Sequence, residues 1–268
     1  MRTAELKATV NFEFVEHFLR GHNRYGVLEG STRSSKTWSI AQSVVLKCHN
    51  NPGTVITCFR KEEKNHTTTT IDTVKKVIAS FRSIGLRPRY KWNKQEKTYT
   101  FENGSILRFV GTLDPGKLHG AEQDIAWLNE VMEISYDSFK QISQRTRHQI
   151  IFDFNPSLNN HWLFSKIMTQ TDKMAYKHST FEDNPFLTDA QRAEIYQYDP
   201  NDPVNVQTNT ASQWHWDVYG LGKRGRVEGV IFPKWEICES MPPAESCLRH
   251  GGGMDFGFHP DPATLIEI

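Results

Sequence analysis

YGVLEGSTRSSKT, residues 25–37, joins a short apolar strand, a turn rich in Gly and Ser, and a Lys-Thr pair that opens a helix. A Gly-rich turn between a strand and a helix is the setting in which such a pattern binds phosphate. Backbone N–H groups wrap the anion, and the helix N-terminus adds partial positive charge. Gly30, Ser31, Thr32, Arg33, Ser34, Ser35, Lys36 and Thr37 are therefore candidate nucleotide-binding residues. Lys36 would bridge the β- and γ-phosphates, and Thr37 would offer its hydroxyl to Mg²⁺. Ser35 stands where the pattern has Gly; a serine fits if its backbone keeps a negative φ. The competing reading is a Ser-rich turn that only caps the next helix. Arg33 is a second cation in the loop, either on the γ-phosphate or solvated.

Outward from this loop the chain alternates helix and strand. NFEFVEHFLR (11–20) reads as a short amphipathic helix, and Thr37 to about His49 as a buried one broken by Asn51-Pro52-Gly53. TVITCF (54–59) is a buried strand, so the unit is β-loop-α-β and its sheet is parallel. Residues 66–83 read as a helix, and KTYTFE with SILRFVG as a hairpin turning at Asn103-Gly104. DIAWLNE (124–130) reads as a strand, 135–147 as a helix, and QIIFDFNPS (149–157) as a strand. From 158 to 200 the pattern is helical with loops; 218–229 is a Gly-rich basic linker, and GGGMDFGFHPDPATLIEI (251–268) starts a fresh strand. Polar residues collect at strand ends, where open α/β sheets bind ligands.

Composition sets the limits. The 268 residues suffice for one large α/β domain, or one domain and a fragment. With 24% charged and 37% apolar residues, the chain reads as globular. No apolar run approaches the roughly 20 residues a membrane helix needs, and the N-terminus has no apolar signal core. Cys48, Cys58, Cys238 and Cys247 are scattered singly, without zinc or disulfide spacing, which fits a reducing compartment such as the cytoplasm. The net charge of +1 argues against a protein that coats nucleic acid.

Hydrolysis of a nucleotide needs a carboxylate to activate water, and usually a second to hold the metal shell. Glu130, at the tip of DIAWLNE, is the candidate base. Asn129 occupies the place where an Asp is usual; an amide can bond a metal-bound water but brings no charge. The plainer reading of Glu130 is a carboxylate preceding the helix at 135.

Taken together, VLEGSTRSSKT, VITCFRKEEKNHTTTTIDTVKKVI, NGSILRFVGTLDPGKLHG, DIAWLNEV and QRTRHQIIFDFNPS resemble, in order and spacing, the ATPase half of phage large terminase subunits. The resemblance runs from about residue 10 to the end. It implies an α/β fold of the ASCE P-loop class, with a mainly parallel sheet over 1–180, a lid or linker subdomain over 181–248, and at 249–268 the first strand of an RNase H-like nuclease domain. It implies ATP and Mg²⁺ as cofactors, Glu130 as catalytic glutamate, and Asn155 of DFNP as the coupling residue that senses γ-phosphate. An Asn-Pro turn after a strand is the plainer reading of Asn155.

Arg60, after a strand, resembles a family arginine that contacts phosphate or base; it is otherwise a solvated loop charge. A neighbour's arginine often completes such sites, but here Lys117 or His119 stands in that context, with Arg145 and Arg147 as alternatives. Asp255 would be the first nuclease metal ligand; two metals need several carboxylates, so the chain is expected not to cut DNA.

Implied partners are double-stranded DNA, a portal protein and a small terminase subunit, with a homo-oligomeric ring on the procapsid, a monomer in isolation, and the host cytoplasm as location. A nucleotide-binding scaffold with little catalysis is the rival, motivated by Ser35 and Asn129. A helicase is a third, disfavoured by room for only one motor lobe. RPRYKWNKQEK (87–97) and KRGR (223–226) could touch DNA phosphates; a charged hairpin flank is the preferred account of the first.

Overall fold

The computed structural model describes residues 6–114 and 122–224, and the backbone of 252–255 and 264–267. Contacts divide the chain into two units, Met1–Glu228 and Gly229–Ile268. Lys117, His119, Cys238, Cys247 and residues 225–229 of the expected linker lie outside the described residues.

The first unit is built on an eight-stranded sheet. Its strands in chain order are β1 (Tyr25–Gly30), β2 (Val55–Arg60), β3 (Tyr90–Asn93), β4 (Thr98–Phe101), β5 (Ile106–Gly111), β6 (Gln123–Asn129), β7 (Thr146–Phe154) and β8 (Met174–Ser179). They lie in the order β3-β4-β5-β2-β6-β7-β1-β8. The six from β5 to β8 run parallel, while β3 and β4 are antiparallel additions. This is the mainly parallel α/β sheet expected, with β7 between the loop strand β1 and the acidic strand β6.

Helices cover both faces because the central strands are apolar on both sides. On one face, α1 (Val10–Arg20), α2 (Lys36–Asn50) and α4 (Thr70–Ser83) pack over Leu28, Ile56, Cys58, Trp127 and Ile151. On the other, α5 (Tyr136–Gln144) brings Phe139 and Ile142 against Val27, Leu128, Ile150 and Phe152. The period of two thus assigns Trp127 and Asn129, and Ile151 and Asp153, to the α2 face.

Several local expectations are corrected. The helix expected over 66–83 is two: α3 (Asn65–Thr68) and α4, parted at Thr69, whose φ of −120° and ψ of −93° leave the helical region. The Thr69 hydroxyl bonds the Asn65 carbonyl and competes with the helix backbone. The helix expected to reach 147 stops at Gln144, because Thr146 is already a buried strand residue bonded to Gln123. Within 158–200, read as helix and loop, lies β8; as an edge strand it shows only weak alternation. β3 is a further edge strand, whose Tyr90 and Trp92 pack on Tyr99 with ring centroids 5.0 and 4.3 Å away. The aromatics of 87–97 therefore serve the sheet, which favours the hairpin-flank reading.

After β8 a small cluster of Phe181, Ile195 and Trp216 gathers α6 (Asp189–Tyr196) and a turn of π-helix, Trp216–Gly220, while α7 (Pro203–Gln207) is tied to α6 by Asn205, which donates to the Tyr196 carbonyl. In the second unit β9 (Gly252–Asp255) pairs antiparallel with β10 (Thr264–Glu267), Asp255 lying opposite Thr264. Among the described residues no helix is long and apolar enough to cross a membrane.

Candidate active site

β1 delivers the 30–37 loop to the C-terminal end of the sheet, and α2 leads away from it. Gly30 is required there by close approach: a β-carbon would collide with the carbonyl oxygen of Ser179 on β8. Gly222, at φ +64°, is required likewise: a β-carbon there would collide with the backbone of Gly30 and Ser31. Two loop residues are left-handed, Arg33 at φ +54° and Ser35 at φ +71°. The negative φ under which a serine would fit here is therefore not met. The loop imposes the glycine-like conformation, and a serine in it costs about 1–2 kcal/mol. The Ser35 hydroxyl bonds Thr9 Oγ1 at 2.7 Å, which offsets part of that cost.

The N-terminal helix clamps this loop. Buried Asn11 donates to the Ser34 carbonyl at 2.6 Å and to Ser179 Oγ at 3.0 Å. From the other side Asn184 donates to the Arg33 carbonyl at 2.8 Å. These residues escape sequence reading because each lies far along the chain from its partner.

A cavity of about 440 Å³ is lined by Ser31 to Trp38, Thr73, Glu130 and Asn155. It brings together the loop, the tip of β6 and the exit of β7. Lys36 is buried at its base and donates to the carbonyls of Gly30 and Ser31, at 3.0 and 2.7 Å, and to Ser34 Oγ at 3.1 Å. All three ammonium protons are aimed at the inside of the loop. Burial lowers its pKa to about 8, opposed by the charges of Glu130, Asp153 and Glu29.

Glu130 follows β6 in the left-handed conformation, φ +53°. A non-Gly residue there is strained, and such strain collects at functional sites. Burial, then the nearby Asp153, raises its carboxyl to about 7, while Lys36 and Arg60 pull the other way. It does not cap the following helix: Ser135 does, accepting from the Ser138 N–H. The plainer reading of Glu130 thus loses its ground. Asn155 donates from Nδ2 to the Gly30 carbonyl at 2.8 Å, tying the exit of β7 to the loop.

The residue that sequence reading missed is Asp153. It pairs in register with Asn129 and is 1% exposed. Its Oδ2 accepts from Thr37 Oγ1 at 3.0 Å and from Asn129 Nδ2 at 2.8 Å, and its Oδ1 from Trp127 Nε1 at 2.7 Å. Burial raises its pKa, opposed by Trp127, Lys36, Thr37 and Asn129. The available signal was an acid inside the apolar run IIFDF.

The other candidates lie apart. Arg60, at the end of β2, is buried and donates to Thr69 Oγ1 at 2.8 Å; it reaches Glu130 by charge but does not line the cavity. Arg145 caps α5, and Arg147 pairs with Glu122 at 2.7 Å, both at the opposite end of the sheet. Arg147 and Asp153 stand near opposite ends of β7, about 20 Å apart along the strand. Asp255 belongs to the second unit. Among the described residues no group of three His, Cys, Asp or Glu could hold a metal by itself. A divalent cation here would rely on phosphate oxygens with one or two protein ligands, the usual manner for Mg²⁺.

Residues 22–211 match the family model described as phage terminase large subunit. The chain is 24% identical to the PBSX phage terminase large subunit of Bacillus subtilis (strain 168), over 97% of this chain and 64% of that protein. It therefore spans somewhat under two thirds of that relative. Its fold is similar to the large terminase of a thermophilic bacteriophage, with a TM-score of 0.69 and 17% identity over 98% of this chain and 65% of that one. The ADP complex of the same thermophilic phage protein gives a TM-score of 0.67, with 17% identity over 97% of this chain and 64% of that one. The large terminase ATPase domain of a Thermus phage gives 0.51, with 14% identity over 74% of this chain and 91% of that one.

Proposed function

The chain belongs to the phage terminase large subunit family, and from that premise we propose that it is the ATP-hydrolysing motor of viral DNA packaging. The observation that carries the proposal is the single cavity shared by the 30–37 loop, Glu130 and Asn155. Loop N–H groups and Lys36 receive the phosphates, with phosphate oxygens replacing the loop carbonyls and Ser34 hydroxyl that Lys36 now contacts. Thr37 offers its hydroxyl to Mg²⁺, which supplies charge neutralisation on the phosphates when bound. Glu130 orients and deprotonates the attacking water; a carboxyl near 7 is matched to that task at neutral pH. Arg33 is exposed and lines the cavity, and in this reading it would meet the outer phosphate.

Asn155 has the coupling role. Its bond to Gly30 links the loop to the chain leaving β7, so a change at the γ-phosphate can be passed to that exit. The cluster of Phe181, Ile195 and Trp216 serves as the lid, since Tyr219 and Asn184 both bond the loop backbone. Double-stranded DNA, a portal protein and a small terminase subunit are the partners, engaged by a ring of copies in the host cytoplasm.

The test is ATP turnover and binding of a fluorescent ATP analogue by the purified chain, with DNA and with portal added. Lys36→Ala removes both activities, whereas Glu130→Gln keeps binding and loses about 100-fold or more in turnover. Unchanged turnover in both variants rejects the proposal.

A further inference from the structure

In the acidic strand β6, the tip presents Asn129 before Glu130, so this strand brings one carboxylate to the site. A cation bound between Thr37 and nucleotide phosphates needs an anionic acceptor beside the Thr37 hydroxyl. That acceptor orients the hydroxyl lone pairs and the metal-bound waters. Asn129 brings no charge, and its amide is committed elsewhere. A carboxylate accepts only, so the side chain must turn its NH₂ toward Asp153, at 2.8 Å.

The missing charge stands one strand over. β6 and β7 are parallel and Asn129 pairs with Asp153, so both side chains project on the α2 face at the same height. α2 begins at Lys36, which places Thr37 in its first turn above that pair. Thr37 donates to Asp153 Oδ2 at 3.0 Å and accepts from Asn129 Nδ2 at 3.4 Å, which leaves one oxygen lone pair for the cavity. Asp153 is held from three sides by neutral donors: an indole, a hydroxyl and an amide. Three neutral hydrogen bonds fix its orientation; the nearby Lys36 ammonium favours its charged form but spends its hydrogen bonds on the loop carbonyls and Ser34. A buried carboxylate is retained most readily where a cation completes it.

Resting on the ATP-binding reading above, we propose that Asp153 is the positioning acid for the nucleotide's divalent cation, replacing from β7 the carboxylate that β6 lacks. Asn129 and Trp127 act through Asp153, each holding one of its oxygens. The metal acid and the catalytic Glu130 then sit on different strands. The metal acid lies on β7, two residues before Asn155 at its exit, so one strand end carries both the metal contact and the link to the loop.

The experiment measures binding of mant-ATP to the full chain with EDTA and across a Mg²⁺ titration, and Mn²⁺ binding by electron paramagnetic resonance. In the unaltered chain Mg²⁺ tightens binding. Asp153→Asn loses about tenfold or more of the Mg²⁺ enhancement measured against its own affinity in EDTA, with the Mn²⁺ signal weakened in parallel. The exchange Asn129→Asp with Asp153→Asn returns the charge to β6 and restores most of the enhancement. It also covers the case in which the single variant folds poorly. A wild-type Mg²⁺ midpoint in Asp153→Asn overturns the proposal, as does a folded exchange variant that regains nothing. If the unaltered chain binds mant-ATP no better than Lys36→Ala, with or without metal, the ATP reading itself falls and the role of Asp153 with it.

Discussion

The two ends of the parallel sheet use similar residues to opposite effect. At the N-terminal ends of the strands, polar groups satisfy one another. Asp124 accepts from the Val55 N–H at 2.8 Å and meets Arg147 at 3.4 Å, while Gln123 bonds Thr57 and Thr146. Gln149 bonds the Phe18 carbonyl at 2.7 Å, and Arg24 gathers the carbonyls of Ser143, Thr146 and His148. At the C-terminal ends, Arg33, Ser35 and Glu130 hold left-handed backbones, Lys36 is lowered to about 8 and Glu130 raised to about 7. The first end closes the fold through satisfied pairs. The second keeps strained backbone and shifted charges that a phosphate and a cation would relieve.

The largest effect is expected where the loop meets β8. Gly30→Ala drives a methyl into the Ser179 carbonyl and displaces the atom that Lys36 and Asn155 both bond. We expect a loss of about 3 kcal/mol by denaturant titration, together with loss of nucleotide binding. Retention of both would mean that the loop does not lie against β8.

Acid sensitivity is the next test of the contrast. His66 sits beyond the C-terminal end of β2, unexposed, with Nδ1 2.7 Å from Thr70 Oγ1 and Nε2 3.0 Å from the Val110 carbonyl. Burial lowers its pKa to about 4. The unfolded chain therefore takes up a proton near 6.5 that the folded chain refuses, and stability falls as pH drops from about 6.5 toward 4. The loss is on the order of 3 kcal/mol, and His66→Gln flattens that part of the profile. An unchanged slope in the variant would assign the acid sensitivity elsewhere.

How far the sequence reveals these ends follows from the distance over which each is encoded. The 30–37 loop, Glu130 and Asn155 are legible because each sits in a contiguous motif beside a strong apolar strand. β1, β2, α1 and α2 are legible for the same reason. Asp153 is not, since its role depends on the register of β6 against β7 and on which face that register gives it. β8 is hidden because an edge strand alternates weakly, and Tyr176 and His178 are exposed on it. The positive φ of Ser35 is hidden because it is imposed by the loop's neighbours and not by the serine itself.

Ser35 gives a smaller effect whose sign is informative. In a helix, Ala is favoured over Gly by about 1 kcal/mol. At φ +71° the order should reverse, because a β-carbon is what the left-handed region penalises. Both substitutions remove the bond to Thr9, so that term cancels between them. We expect Ser35→Gly to be more stable than Ser35→Ala by about 1 kcal/mol in thermal or denaturant unfolding. The helical order, Ala above Gly, would show that the loop relaxes out of this conformation in solution.

The smallest effect belongs at the other end of the sheet, where Arg147 holds Glu122 at 2.7 Å and Asp124 at 3.4 Å. The arginine is 57% exposed. Exposed ion pairs contribute roughly 0–1 kcal/mol, and Asp124 keeps its bond from the Val55 N–H when the arginine is removed. Arg147→Ala should therefore cost less than about 1 kcal/mol, most of it at low salt, where screening is weak. It should also leave ATP turnover by the isolated chain unchanged, since the strand carries Arg147 away from the cavity. A drop in turnover only on the assembled ring would restore Arg147 as the residue a neighbour inserts. A drop in the isolated chain would break the division of labour between the two ends, because a group with satisfied partners would then be acting on chemistry across the length of β7.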